Sequence, residues 1–258
     1  MSKAKPINHP SFLSLLGGLR FSLNPAYGHS MAYRRTERQT ARLAGRYEAI
    51  IGAARTLASE SGLAAVQIIP VAERAGIAAG TVYRYFPSKD DLVAALVAAT
   101  AEREIAAIRG AAAAAPGALS GLAAAIMAFA AGTLRTRRLA WAMLAEAPEG
   151  DADARRLAFR RNIGGEFEIL IRAAIAAGHL PDQPLTVTAA AVIGAMVESL
   201  VGPLVPKSAG PDADYAAVQA LTLFALRALG VADARARGLV LQSEGGCQRL
   251  GTGKQEQL

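Results

Sequence analysis

The stretch "AGIAAGTVYRYFPSKDDL", Ala75 to Leu92, decides the fold. In a chain with only 5% aromatic residues, it sets Tyr83, Tyr85 and Phe86 within four positions and follows them with Pro87. Gly76 ends one short helix, expected over Ile68–Ala75, with Gln67 at its cap and Pro70 in its first turn, where a missing N–H costs little. A second short helix is expected over Ala79–Tyr85 after a turn of three residues. Pro87 stops it, because the residue before a proline is pushed out of the α region. Ser88 then caps a new helix whose first turn carries Asp90 and Asp91, where the helix dipole favours carboxylates. Two short helices joined by a tight, Gly-containing turn make a helix-turn-helix unit.

Working outward, Ile50, Ile51, Ala54, Leu57 and Ala58 form one apolar stripe on a helix expected from Arg38, and Gly62 supplies its stop. Arg38, Arg42 and Arg46 recur at i, i+4, i+8 on that helix, a basic face that suits either phosphate or plain water. Residues 1–35 contain Pro6, Pro10 and Pro25 without a sustained period, so an irregular basic arm is expected there. Downstream of Ser88, Leu92, Val93, Leu96 and Val97 extend a connector helix to about Ile108. Five more helical segments follow, near 118–134, 137–147, 151–177, 185–201 and 213–229, split by short turn-rich separators as in a packed bundle. The fold class is therefore all-α with about nine helices. The expected domains are an arm over 1–35, a three-helix DNA-binding head over 36–92, a helical bundle over 93–230 and a flexible, Gly-rich tail over 231–258.

Composition narrows the chemistry. Lys and Arg number 28 against 21 Asp and Glu, a net charge of +7 that suits an anionic partner. The single cysteine, Cys247, rules out an intrachain disulfide and a cysteine-rich metal cage, so the cytoplasm is the expected compartment. The histidines, His9, His29 and His179, have no ligand spacing, and no metal or cofactor is expected. The uncharged run between Arg109 and Arg135 is broken by Pro116, Gly117 and Gly121 and is rich in alanine, so a core helix is expected there rather than a membrane span. No Gly-x-Ser-x-Gly elbow, phosphate loop or His-Glu zinc motif follows residue 92, and the chain is not expected to be an enzyme.

The ordered motifs "VAERAGI", "GTVYRYF" and "PSKDDL" resemble the DNA-binding domain of the TetR/AcrR family of bacterial transcriptional regulators, over Tyr47 to Leu92. The resemblance implies that Ala79, Gly80, Thr81, Tyr83, Arg84, Tyr85 and Lys89 approach DNA, and that Gln67 contacts a phosphate. Arg38 and Arg42 join that expected surface. Thr81 and Tyr85 carry hydroxyls suited to phosphate oxygens, and Arg84 is the only long cation on the short helix, suited to guanine. Ala78 and Ala79 offer no base-reading side chain, so Tyr83 and Arg84 carry the expected specificity. Val82 and Phe86 are expected in the core.

The family resemblance further implies a bundle that dimerises through its last two helices, here about 185–201 and 213–229, and an apolar effector pocket. "LTVTAAAVIGAMVESLVGPL" is apolar on nearly every face, which agrees with burial on two sides. Phe129, Trp141, Met143, Phe159 and Met196 are candidate pocket walls, with plain core packing as the alternative. Arg160 is a candidate partner for an acidic ligand or for Glu198. Glu198 itself is expected as an interface ion pair, a polar pocket residue or an exposed edge. Together these features describe a homodimeric, ligand-responsive regulator, a repressor by expectation, on a palindromic double-stranded DNA operator. A small-molecule-converting helical enzyme and a non-specific DNA-binding structural protein are the alternatives.

Overall fold

Met31, Ala32, Arg34, Arg35, Glu37, Arg38 and Ala41 all favour helix, and the first helix accordingly begins well before its apolar stripe. The structure, a computed structural model, describes residues 29–144, 152–203 and 210–252, with side chains for 41–144, 157–203 and 210–243. Helix α1 spans His29–Ser61. The expected irregular arm is thus corrected over 29–35: good helix formers carry a helix even where the sequence has no apolar period. The rest of the arm lies outside the described residues. The chain divides after Gly45, which leaves the leading half of α1 in one unit and every later described element in the other.

Within the second unit the apolar stripe of α1 is buried as its spacing demands, with Ile50, Ile51, Ala54 and Ala58 fully enclosed. A short 3-10 turn, Leu63–Ala65, leads to α2, Ile68–Ala75, then α3, Ala79–Tyr85, and α4, Lys89–Ala113. The bundle continues through α5 (Ala118–Arg135), α6 (Arg137–Leu144), α7 (Ala152–Ala176), α8 (Leu185–Val201) and α9 (Pro211–Ala228). A tenth helix, α10, spans Asp233–Thr252. No strand occurs among the described residues.

Helix α10 corrects the expected flexible tail over 233–252, and 253–258 lie outside the described residues. Val231, Ala236, Leu239 and Val240 are buried, and α10 packs on α5 and α9. Asp233 anchors its first turn by pairing with Arg227 of α9 and, at 2.9 Å, with Arg237 one turn on. The apolar spacing 236, 239, 240 is helical but short, and the neighbouring glycines conceal it.

Helix α5 is the axis of the bundle and packs against α4 and α6 to α10. It is long and apolar enough to cross a membrane by composition, but two-thirds of it is buried inside the protein, as a core helix requires. Phe129 of α5 meets Phe167 of α7 edge to face, with ring centres 6.1 Å apart. Arg109 of α4 grips Glu166 of α7 through two hydrogen bonds of 2.6 and 2.8 Å. Arg137 of α6 bonds the Leu200 carbonyl of α8 at 3.0 Å and pairs with Asp214 of α9.

Candidate nucleic-acid interface and effector cavity

The turn between α2 and α3 is built by backbone chemistry. Gly76 adopts φ +66°, which an L side chain resists, and it donates to the Glu73 carbonyl at 3.1 Å, while Ile77 donates to the Ala72 carbonyl at 3.0 Å. This paired closure ends α2 and turns the chain into α3. Ala78 occupies the N-cap of α3 in extended conformation with no side-chain cap bond, which forgoes about 1 kcal/mol relative to serine.

Helix α3 then sorts its residues by face. Val82 is fully buried and Phe86, just past the helix, nearly so; the Phe86 ring lies 5.5 Å from that of Tyr47 on α1. On the other face Tyr83 is 53% exposed, and Gly80 and Arg84 are exposed as well. Ala79, Thr81 and Tyr85 are half-buried at the rim. Lys89, exposed, opens α4 directly after the Ser88 cap, whose Oγ accepts from the Asp91 N–H at 3.1 Å and donates to the Asp91 carboxylate at 2.7 Å. Gln67 is exposed beside α2, its amide donating to the Ala64 carbonyl at 3.1 Å. Arg42 is exposed on the leading half of α1, and the Arg38 side chain lies outside the described ones.

The turn between α1 and α2 is locked by charge. Arg74 of α2 donates two hydrogen bonds, 2.9 and 3.0 Å, to the Glu60 carboxylate of α1, which holds that carboxyl below its ordinary range. Arg138 of α6 donates to the Glu60 main-chain carbonyl at 2.6 Å. The helix-turn-helix is therefore fastened to α6.

A cavity of about 20 Å3 lies where α4, α5, α6 and α7 meet. Phe129, Met143 and Phe159, expected as pocket walls, line it together with Leu139, Ala140 and Leu144. Trp141 and Arg160 are half-buried and Met196 is fully buried in the core; none of the three lines this cavity. Arg160 instead reaches the Leu144 carbonyl at 3.4 Å. Of the placements expected for Glu198, the exposed edge is the one the structure shows: it is exposed on the face of α8 that also carries Val187 and Ala191, and it does not line this cavity.

The polar lining comes from Thr100, Glu104, Thr133 and Thr136, none of which the sequence reading singled out. Glu104 stands in "TAEREIAAIRG", where flanking charges give the look of a solvated face. Its Oε2 is buried without a hydrogen-bond partner among the described residues. Burial pushes this carboxyl up, against the opposing pull of Arg135, Arg103 and Arg55. No group of three or more potential metal ligands occurs among the described residues.

Among the described residues this geometry defines a helical protein whose helix-turn-helix head is continuous, through α4, with a helical companion bundle. Residues 50–96 match the family described as "Bacterial regulatory proteins, tetR family". Over the head, then, the chain is similar to the DNA-binding domain of the TetR/AcrR family of bacterial regulators. It is 50% identical over 58 residues to the HTH-type transcriptional repressor KstR of Rhodococcus jostii, a match covering 22% of this chain and 27% of the repressor. The corresponding repressor of Mycolicibacterium smegmatis is 47% identical over 58 residues, covering 22% and 28% of the two chains. The chain thus matches about a quarter of the length of these relatives. Solved structures share the wider fold. The fatty acid degradation regulator FadR from Bacillus halodurans superposes with a TM-score of 0.60 at 21% identity, covering 70% of this chain and 97% of that one. FadR from Bacillus subtilis in complex with stearoyl-CoA gives 0.59 at 20% identity, covering 69% and 97%. RolR in complex with resorcinol gives 0.51 at 21% identity, covering 77% and 95%.

Proposed function

We propose that this chain is a ligand-responsive transcriptional repressor that binds a palindromic operator as a homodimer and is released by a small molecule in its helical bundle. The observation that carries the reading is the division of α3: Val82 and Phe86 fix the helix to the head, while Tyr83 and Arg84, next to them in sequence, stand free to enter a major groove. Gln67, Thr81, Tyr85 and Lys89 surround that edge with groups suited to phosphate. The repressor relatives matched over the head support the sign of regulation, and the ligand-bound FadR and RolR structures of the same fold support an effector in the bundle.

Dimerisation is supported by the outer faces of α8 and α9. Val187 is 68% exposed and Phe224 56% exposed, with Ala191, Ala216 and Ala220 open beside them. An apolar face of this kind on two neighbouring helices is costly in water and suits burial against a second copy, with Gly194 and the alanines permitting close approach.

The route from effector to DNA runs through α6. Leu139, Ala140, Met143 and Leu144 form one wall of the cavity, and the preceding Arg138 holds the end of α1, whose Glu60 holds α2. An effector that binds better when α6 has moved also favours a displaced head, and DNA is released by that differential affinity alone. Selection of fragments from random DNA by the purified protein tests the reading. The expected product is a palindrome with half-site centres about one helical turn, ~34–36 Å, apart; enrichment of no common sequence would refute it and favour a structural DNA-binding role.

A further inference from the structure

Three of the four polar side chains that line the cavity face it with acceptors. Thr100 donates its hydroxyl to the Leu96 carbonyl at 2.7 Å, and Thr136 donates to the Gly132 carbonyl at 3.3 Å, so both present only lone pairs to the space they line. Glu104 adds a carboxylate whose Oε2 is shielded from solvent and unpartnered among the described residues. The carboxylate lies directly on α5: a Cβ at position 132 would fall 2.5 Å from Oε2, so a side chain there would push the carboxylate out of its present place. A buried acceptor left unpaired costs folding energy, and its place in a cavity calls for an explanation in terms of a ligand.

The charges around Glu104 select the kind of donor. Arg55 of α1, Arg103 of α4 and Arg135 of α5 all act on it electrostatically. A cationic ligand would meet this guanidinium field, and an anionic one would meet the carboxylate and the threonine lone pairs. A neutral donor meets neither penalty. The remaining walls, Phe129, Leu139, Met143 and Phe159, are apolar and suit an uncharged body. The present space of about 20 Å3 holds a hydroxyl-sized group, so the body of a ligand enters by parting those side chains, with the unbranched Met143 the most adaptable.

Resting on the reading of the bundle as an effector domain, we propose that the effector is a neutral, hydroxyl-bearing molecule with an apolar ring or chain, whose hydroxyl donates a hydrogen bond to Glu104. Glu104 is then the residue that selects the head group.

The test uses four probes of matched body, phenol, toluene, benzoate and benzylamine, titrated into the full chain and followed by calorimetry and by NMR shifts of the cavity methyls. Phenol is expected to bind roughly 10- to 100-fold more tightly than toluene, the range for a hydrogen bond to a charged group. Benzoate and benzylamine are expected to bind more weakly than phenol. In Glu104→Ala the preference of phenol over toluene should vanish, and in the near-isosteric Glu104→Gln it should shrink while toluene binding is retained. The proposal is overturned if benzoate or benzylamine outcompetes phenol, if Glu104→Gln keeps the full preference, or if no probe binds up to its solubility limit. The wild-type series decides even where a variant fails to fold. No DNA enters the assay, so a failure here leaves the repressor reading standing, and a failure to find an operator leaves the ligand result legible.

Discussion

Val82 and Tyr83 are neighbours in sequence with opposite fates, and exchanging each for alanine separates folding from recognition. Val82 is fully enclosed between α3 and the rest of the head. Val82→Ala removes two methyl groups, which at about 0.8 kcal/mol each gives ~1.6 kcal/mol of lost transfer energy, and the residual cavity raises this to about 2–3 kcal/mol. Tyr83 is 53% exposed, so Tyr83→Ala should change stability by no more than about 1 kcal/mol. For DNA the order reverses. Loss of one good base contact costs roughly 1–3 kcal/mol, a 5- to 150-fold weaker operator affinity. Urea unfolding and fluorescence anisotropy on a selected operator give the two numbers for each variant. The reasoning is refuted if Tyr83→Ala unfolds the protein as readily as Val82→Ala, or if it leaves the preference for operator over scrambled DNA unchanged.

Three further outcomes follow from other parts of the molecule. Arg138→Met keeps the length of the side chain but cannot bond the Glu60 carbonyl, so the effect of phenol on operator affinity should shrink by roughly 0.5–2 kcal/mol, measured as the ratio of operator affinities with and without phenol. Phe224→Arg places a charge in the apolar face of α9 and should shift sedimentation from dimer toward monomer, with palindrome binding weakened by about 2 kcal/mol or more. Glu104→Gln should stabilise the protein near neutral pH: with its carboxyl raised by burial, the native state binds more protons than the unfolded chain, so stability falls as pH rises through the carboxylate range. Arg135, Arg103 and Arg55 oppose that rise, and the advantage of the glutamine should disappear as pH falls below the ordinary 4.5, a difference that thermal melts along a pH series would show.

Local rules made the head legible in the sequence. Gly76, Pro87 and Ser88 punctuate short helices through φ, a missing N–H and a capping oxygen, and each stands where the expected boundaries placed it. The buried positions of α1 and α3 followed from helical spacing for the same reason. What escaped notice was set by tertiary context. Helix α10 hid because its stripe, Ala236, Leu239 and Val240, is interrupted by Gly238 and becomes apolar burial only against α5 and α9. Glu104 hid because Glu102, Arg103 and Arg109 make its stretch look solvated, and only the crossing of α5 at Gly132 encloses it. For Glu198 the sequence left an interface pair, a pocket residue and an exposed edge open, because an isolated charge in an apolar run has no local feature that chooses between them, and its exposure is set by how α8 packs. Arg138 had no local signature, since its partner is a main-chain carbonyl 78 residues earlier.

In the proposed repressor the exposed edge of α3 reads sequence rather than charge alone. The affinity of the purified protein for its selected palindrome, divided by its affinity for a scrambled duplex of the same length at physiological salt, measures this directly. An operator-reading α3 gives a ratio of about 10^3 or more, falling markedly in Arg84→Ala while affinity for the scrambled duplex changes little. A ratio near one, unaltered by Arg84→Ala, would contradict it.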